Sequence, residues 1–175
     1  DVDYVLQGLL DIGFDDVVEV SQAAELVSAY TRLYLKTEGI AKPVISSACP
    51  VVLRLIALRH PMLKEHIMQM LPPMEIAAKL ARQRALEQHP ELAPTDIGVC
   101  FISPCPAKVT DVRLPIGTER SDVDGVLAIS DIYPRLVHKM NHLDRVENLC
   151  NSGLIGVSWS FIGGEAAGLL NENHL

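Results

Sequence analysis

Two cysteines stand out by their setting. Cys49 lies in VISSACPVVLRLI, residues 44–56, and Cys105 in GVCFISPCPAKV, residues 98–109. Each follows an apolar run of strand character and directly precedes a proline that can open a helix. The unpaired N–H groups at a helix start favour an anion, and the thiolate is the form of cysteine that binds metals. Iron–sulfur clusters are held by such thiolates. The competing reading is plain packing, because free cysteine is among the most buried residue types. Lys108, three residues after Cys105, also has two readings. It is a cation placed to meet an anionic group at the thiolate site, or a solvated lysine after a turn.

The remaining candidates point elsewhere. Cys100, between Val99 and Phe101, reads as core, and Cys150 in NLCNSG has no clear setting. His60, His66, His89, His138 and His142 lack metal-motif spacing. The last two stand four apart on one expected helix, but without the glutamate of His-Glu-x-x-His, so they read as a polar helix face. The stretch GGEAAG, residues 163–168, matches neither G-x-G-x-x-G nor a P-loop, which argues against a nucleotide site.

The elements that would place the two turns alternate along the chain. Residues 2–12 carry Val2, Val5, Leu6, Leu9 and Leu10 on one helical face, and Gly13 can end that helix. Val17–Val20 reads as a short strand, and Ser21 as the N-cap of a helix running to about Leu35. PVISS is a second strand, followed by a helix from Pro50 to near His60, a short helix over 61–71 and a longer one over 74–89. DIGVCFIS and DGVLAIS are nearly all apolar, the pattern of strands buried on both faces. Asp131 is placed to cap a helix over 131–143 with Pro134 in its first turn. Residues 153–170 read as a glycine-interrupted strand, a Gly163-Gly164 turn and a helix start. This alternation predicts an α/β fold with parallel pairing, in which sites gather at the carboxyl ends of strands.

Composition narrows the class. The 175 residues are 49% hydrophobic and 21% charged with a net charge of −7, which fits a globular chain and gives no electrostatic footprint for nucleic acid or an anionic membrane. No apolar run is long enough to span a bilayer, and no signal peptide is visible, so a reducing, cytoplasmic setting with free thiols is expected. The chain opens on Asp1, which reads as a processed or partial sequence.

At SSACP and SPCPAK the chain resembles the H-cluster domain of the iron-only ([FeFe]) hydrogenase large-subunit family. That family carries Thr-Ser-Cys-Cys-Pro and, later, Met-Pro-Cys-x-x-Lys-x-x-Glu. The second Cys of the first motif falls on Cys49, and the Cys and Lys of the second fall on Cys105 and Lys108. LLDIGFDDVVEVSQAAEL, LRHPMLKEHIMQMLPPME and WSFIGGEAAGLL resemble further stretches of the family, so the likeness covers nearly the whole chain. It implies a two-lobed fold of twisted, mainly parallel sheets with flanking helices, and one domain over residues 1–175. It implies Cys49 and Cys105 as metal ligands to a 4Fe-4S cluster, joined by a two-iron subsite in a full-length protein. Lys108, Trp159 and Ser160 are then cofactor contacts, and ferredoxin-like domains or proteins the electron partners; a homodimer is compatible.

The departures from the family bear on function. Ala48 stands where the family has a proton-relaying Cys, and a methyl group neither donates nor accepts a proton. Ser103 replaces the Met before Pro-Cys, and the relay Glu of the second motif falls on the shorter Asp111. With Lys108, these are the positions at which catalysis would be decided. The family's third motif, Cys-x-x-x-Cys, is absent from these residues, so the chain reads as part of a cluster domain. Taken alone, it is expected to be free of cluster, with its two thiols near each other. Loss of the proton donor favours a sensing or electron-transfer role, since hydrogen chemistry needs a positioned proton-transfer group. An active hydrogenase reducing protons reversibly is the second reading, and a hydrogenase-like iron–sulfur assembly factor the third.

Overall fold

The computed structural model describes residues 2–170. Eight α-helices are formed among them: α1 Val2–Asp11, α2 Val20–Leu35, α3 Pro50–Arg59, α4 Pro73–Gln88, α5 Pro106–Arg113, α6 Ile129–Met140, α7 Leu154–Ser158 and α8 Gly164–Leu170. Strands β1, Cys100–Ser103, and β2, Gly125–Ala128, pair in parallel, with Cys100 opposite Gly125 and Ser103 opposite Ala128. Parallel strands need a crossover, and α5 provides it. The second Cys-Pro turn therefore lies where the sequence places it, between the carboxyl end of a strand and the start of a helix.

Met74, Ala78 and Val123 form the centre of the core beneath this sheet, with Val99, Phe101, Val112 and Val126 packed around them. Small side chains set the helix contacts. On α2, Ala23, Val27 and Thr31 recur every fourth residue, with Ala24 and Ser28 beside them, and all five are buried. This stripe lets α4 and α7 approach α2 closely. Gly8 does the same for α1 against α6, where an added methyl would meet Leu136 Cδ1 at 2.8 Å. Glu75, in the first turn of α4, is 6% exposed, and its carboxylate accepts from Ser121 Oγ at 2.6 Å and the Asp122 N–H at 2.7 Å. No helix among the described residues is long and apolar enough to cross a membrane.

Several expected elements take another form. Val17–Glu19 is extended but pairs with no strand, and α2 begins at Val20 with Glu19 as its N-cap. Ser21 does not cap; its hydroxyl bonds to Ser152 Oγ at 2.5 Å. Val17, Val18, Ala78 and Phe101 line a common cavity of about 840 Å³. PVISS is reduced to one parallel bridge, Ile45 with Ile67. The helix expected over 61–71 is a 3₁₀ turn, Pro61–His66, followed by extended chain that makes this bridge. Ala128, not Asp131, is the N-cap of α6, which leaves Pro134 inside the helix. The strand expected from residue 153 is helix α7; a short all-apolar run cannot be assigned by periodicity alone, and the contact with α2 decides it. Cys100 is exposed rather than core, because it opens β1 and only Ser103 of that strand is buried.

Three carboxylates hold the segment leading into α7. Asp3 Oδ1 accepts from the N–H groups of Leu149 at 2.8 Å and Cys150 at 2.7 Å. Glu19 accepts from the Asn151 N–H at 2.7 Å and from the Cys150 thiol at 3.5 Å, and Glu25 from the Gly156 N–H at 3.1 Å. Partial burial pushes the Glu19 pKa up, but hydrogen bonds from Asn151, Ser152, Cys150 and Gln22 outweigh it and hold the group below its ordinary 4.5. A carboxyl whose pKa is depressed by folding stabilises the fold above 4.5, and that stabilisation is lost as pH falls through the lower folded value. The protection of the Asn151 amide against hydrogen exchange is therefore expected to hold above about pH 4.5 and to fall as pH drops below that value. In Glu19→Gln this step should vanish; protection independent of pH in the unaltered protein would contradict the assignment.

Candidate metal centre at the two Cys-Pro turns

The two turns are built alike. Cys49 is the N-cap of α3 with φ −102° and ψ 109°, and Cys105 the N-cap of α5 with φ −102° and ψ 112°. In each case a proline occupies the first helical position, where its missing N–H leaves no bond unmade. Serine hydroxyls shape both approaches. Ser46 Oγ accepts from the Ala48 N–H at 3.3 Å, and Ser103 Oγ accepts from the Cys105 N–H at 3.1 Å. Ser47 fastens the first turn by donating to the Met70 carbonyl at 2.6 Å. Neither cysteine side chain caps its helix, and both residues are exposed.

Lys108 joins the turns. Its Nζ donates to the carbonyl of Ala48, the residue before Cys49, at 3.0 Å. The same ammonium lies 3.5 Å from Asp111 Oδ2, and the two side chains are only 13% and 10% exposed. The solvated reading of Lys108 is thus overturned: a nearly buried ammonium needs a counter-charge, and Asp111 is that charge. A second tie runs from Arg54 on α3 to the carbonyl of Leu114, just past α5, at 2.5 Å. Ala48, Ser103, Lys108 and Asp111, which the sequence groups with the two cysteines, all belong to this bonded framework.

Trp159 and Ser160 are held elsewhere. Trp159 Nε1 donates to the buried Ser28 Oγ at 2.9 Å, and Ser160 Oγ donates to the Val157 carbonyl at 2.8 Å. The first bond ties the α7–α8 connection to α2, the second stays within that connection, and neither includes the Cys-Pro turns. His138 on α6 and His142 just past its end are both exposed, with ring centroids 4.8 Å apart and the rings tilted at 41° to each other. Sequence reasoning missed Ser46, Ser47 and Arg54; the signal for the first two was a serine just before each turn, since serine readily bonds nearby backbone.

The donors present fit one side of an iron–sulfur cluster. Two accessible thiols stand at two matching helix starts, whose free N–H groups favour negative charge. Among the described residues, no group of three or more His, Cys, Asp or Glu could hold a metal ion by itself.

Comparison with known proteins follows this geometry. No curated protein matches the chain. Among solved structures it is similar to HydA(deltaEFG), described as revealing stepwise [FeFe]-hydrogenase H-cluster assembly, with TM-score 0.66 at 20% identity over 89% of this chain and 42% of that one. It is also similar to an apo [FeFe]-hydrogenase HydA1 variant from Chlamydomonas reinhardtii, with TM-score 0.66 at 20% identity over 87% of this chain and 42% of that one. The chain thus spans less than half the length of these structures, and at this identity the likeness shows the fold. Residues 2–151 match the family described as iron only hydrogenase large subunit, C-terminal domain. That match covers most of the chain, which therefore belongs to the family of C-terminal domains of iron-only hydrogenase large subunits.

Proposed function

We propose that residues 1–175 are part of an iron–sulfur domain with a sensing or electron-transfer role, in which Cys49 and Cys105 supply two thiolates to a 4Fe-4S cluster. The observation that carries this reading is the joining of two alike Cys-Pro turns by one lysine. Lys108 has three N–H donors; Ala48 and Asp111 take two, and the third is left for an anionic ligand at the site. Bound there, the cluster would supply one-electron chemistry, with ferredoxin-like domains or proteins as partners.

Three positions separate this role from hydrogen turnover. Ala48 offers a methyl group and a carbonyl already bonded to Lys108. Asp111 is buried against the same ammonium. Ser103 is buried with its hydroxyl bound to the Cys105 N–H. Ala48 has no side-chain proton to transfer and Asp111 is turned to Lys108, so neither of the two relay positions serves the thiols, and hydrogen chemistry needs a group that does. The full-length protein, loaded anaerobically, is expected to evolve no hydrogen from reduced methyl viologen above a protein-free control. It should also show no infrared bands of iron-bound carbon monoxide and cyanide. Sustained hydrogen evolution would overturn the sensing role and make the protein an active [FeFe] hydrogenase.

A further inference from the structure

We propose that Asp111 and Lys108 act as a positioning clamp that sets the separation of the Cys49 and Cys105 thiols. Their ligand role rests on the reading above; the clamp itself rests on geometry alone. Asp111 stands where the family's relay glutamate falls, yet its carboxylate lies 3.5 Å from Lys108 Nζ. Lys108 sits one turn into α5, and its ammonium reaches out of that helix to the Ala48 carbonyl at 3.0 Å. The pair thereby ties the start of α5 to the start of α3, and each start carries one thiol. The Arg54 bond to the Leu114 carbonyl ties α3 to the other end of α5. With Lys108 removed, α5 keeps its packing on β2 and the Arg54 bond at its far end, but its start, which carries Cys105, loses its bond to the start of α3 and can shift away from Cys49.

Asp111 is what makes a lysine workable here. An ammonium 13% exposed would be costly without a charged partner, and a neutral side chain would bond the Ala48 carbonyl less strongly. Alanine at 48 suits the same arrangement, because only its backbone carbonyl is used.

The test cross-links Cys49 to Cys105 in this chain with a short bis-maleimide and counts the bridged peptide by mass spectrometry. Labelling of exposed Cys100 serves as the internal standard. The unaltered protein and Lys108→Arg, which keeps the charge and donors, are expected to form the bridge. Lys108→Met and Asp111→Asn should lose about tenfold in bridge yield, the factor one hydrogen bond to a charged group provides. Because each single variant leaves a partner exposed to desolvation, the double variant Lys108→Met with Asp111→Leu is measured too. It removes both charges, should keep its circular dichroism, and should still lose the bridge. A bridge formed equally well in that double variant would overturn the clamp, as would its absence from the unaltered protein. Iron does not enter the readout, so failure of the cluster reading and failure of the clamp are told apart.

Discussion

Gly156→Ala is expected to destabilise the protein by about 3 kcal/mol or more, the upper range for overpacking a close contact, and to lower its melting temperature by roughly 10 °C. Gly156 is buried in α7 where that helix crosses the start of α2. A β-carbon there would run into the carbonyl of Ser21, well inside van der Waals contact, and would also press on Glu25 Cγ at 2.8 Å. The obstacle is backbone, so no side-chain rotation relieves it. Relief requires lifting α7 off α2, which breaks the bond from the Gly156 N–H to Glu25 and the bond from Trp159 to Ser28. Gly98→Ala is the matched control, since nothing lies within 4 Å of its β-carbon position and its φ is not positive. It should change stability by no more than about 0.5 kcal/mol. Thermal unfolding of both variants decides the matter, and equal melting temperatures would mean that α7 does not pack on α2 as described.

The same glycine explains what could and could not be read from the chain. Residues 154–157 are apolar with a glycine interruption, and such a run suits a buried strand or a buried helix equally well. What selects the helix is the contact with Ser21 and Glu25 of α2, far away in sequence. Val17–Val20 fails for a related reason. Its residue types favour a strand, but Glu19 is drawn to Asn151 and Cys150, and the helix begins at Val20. Local chemistry was legible where it is self-contained. Both Cys-Pro helix starts, the β1 and β2 strands and the end of α4 follow from proline position, apolar runs and loop composition.

The candidate site was legible as a list and not as an arrangement. Cys49, Cys105 and Lys108 were recognisable at the two Cys-Pro turns, and Asp111 only through the resemblance to the family's second motif. That Lys108 binds the Ala48 carbonyl was not, because a backbone acceptor leaves no signature in residue types. Nor could spacing show that Asp111 turns toward Lys108 and lies 7% exposed. The serine bonds that shape the two turns escaped notice for a different reason: serine is common in loops whether or not it shapes them.

Loss of bound iron in Cys49→Ser and Cys105→Ser is the largest functional effect expected. Hydroxyl oxygen is a poor substitute for thiolate sulfur at an iron–sulfur cluster. Each substitution removes one of only two exposed thiols that stand at the N-cap of a helix among the described residues. Cys100 opens a strand and Cys150 bonds to Glu19, so Cys100→Ser and Cys150→Ser should leave iron content unchanged. The fold should survive all four changes, since serine is nearly isosteric and neither the Cys49 nor the Cys105 side chain caps its helix.

The most direct measurement is therefore iron and acid-labile sulfide per chain in the full-length protein after anaerobic reconstitution, with the four serine variants alongside. The expected result is about four iron and four sulfide atoms per site, present in Cys100→Ser and Cys150→Ser and lost in Cys49→Ser and Cys105→Ser. Iron retained in both of the latter, or no iron in the unaltered protein, would contradict the cluster assignment and return the two Cys-Pro turns to a structural role.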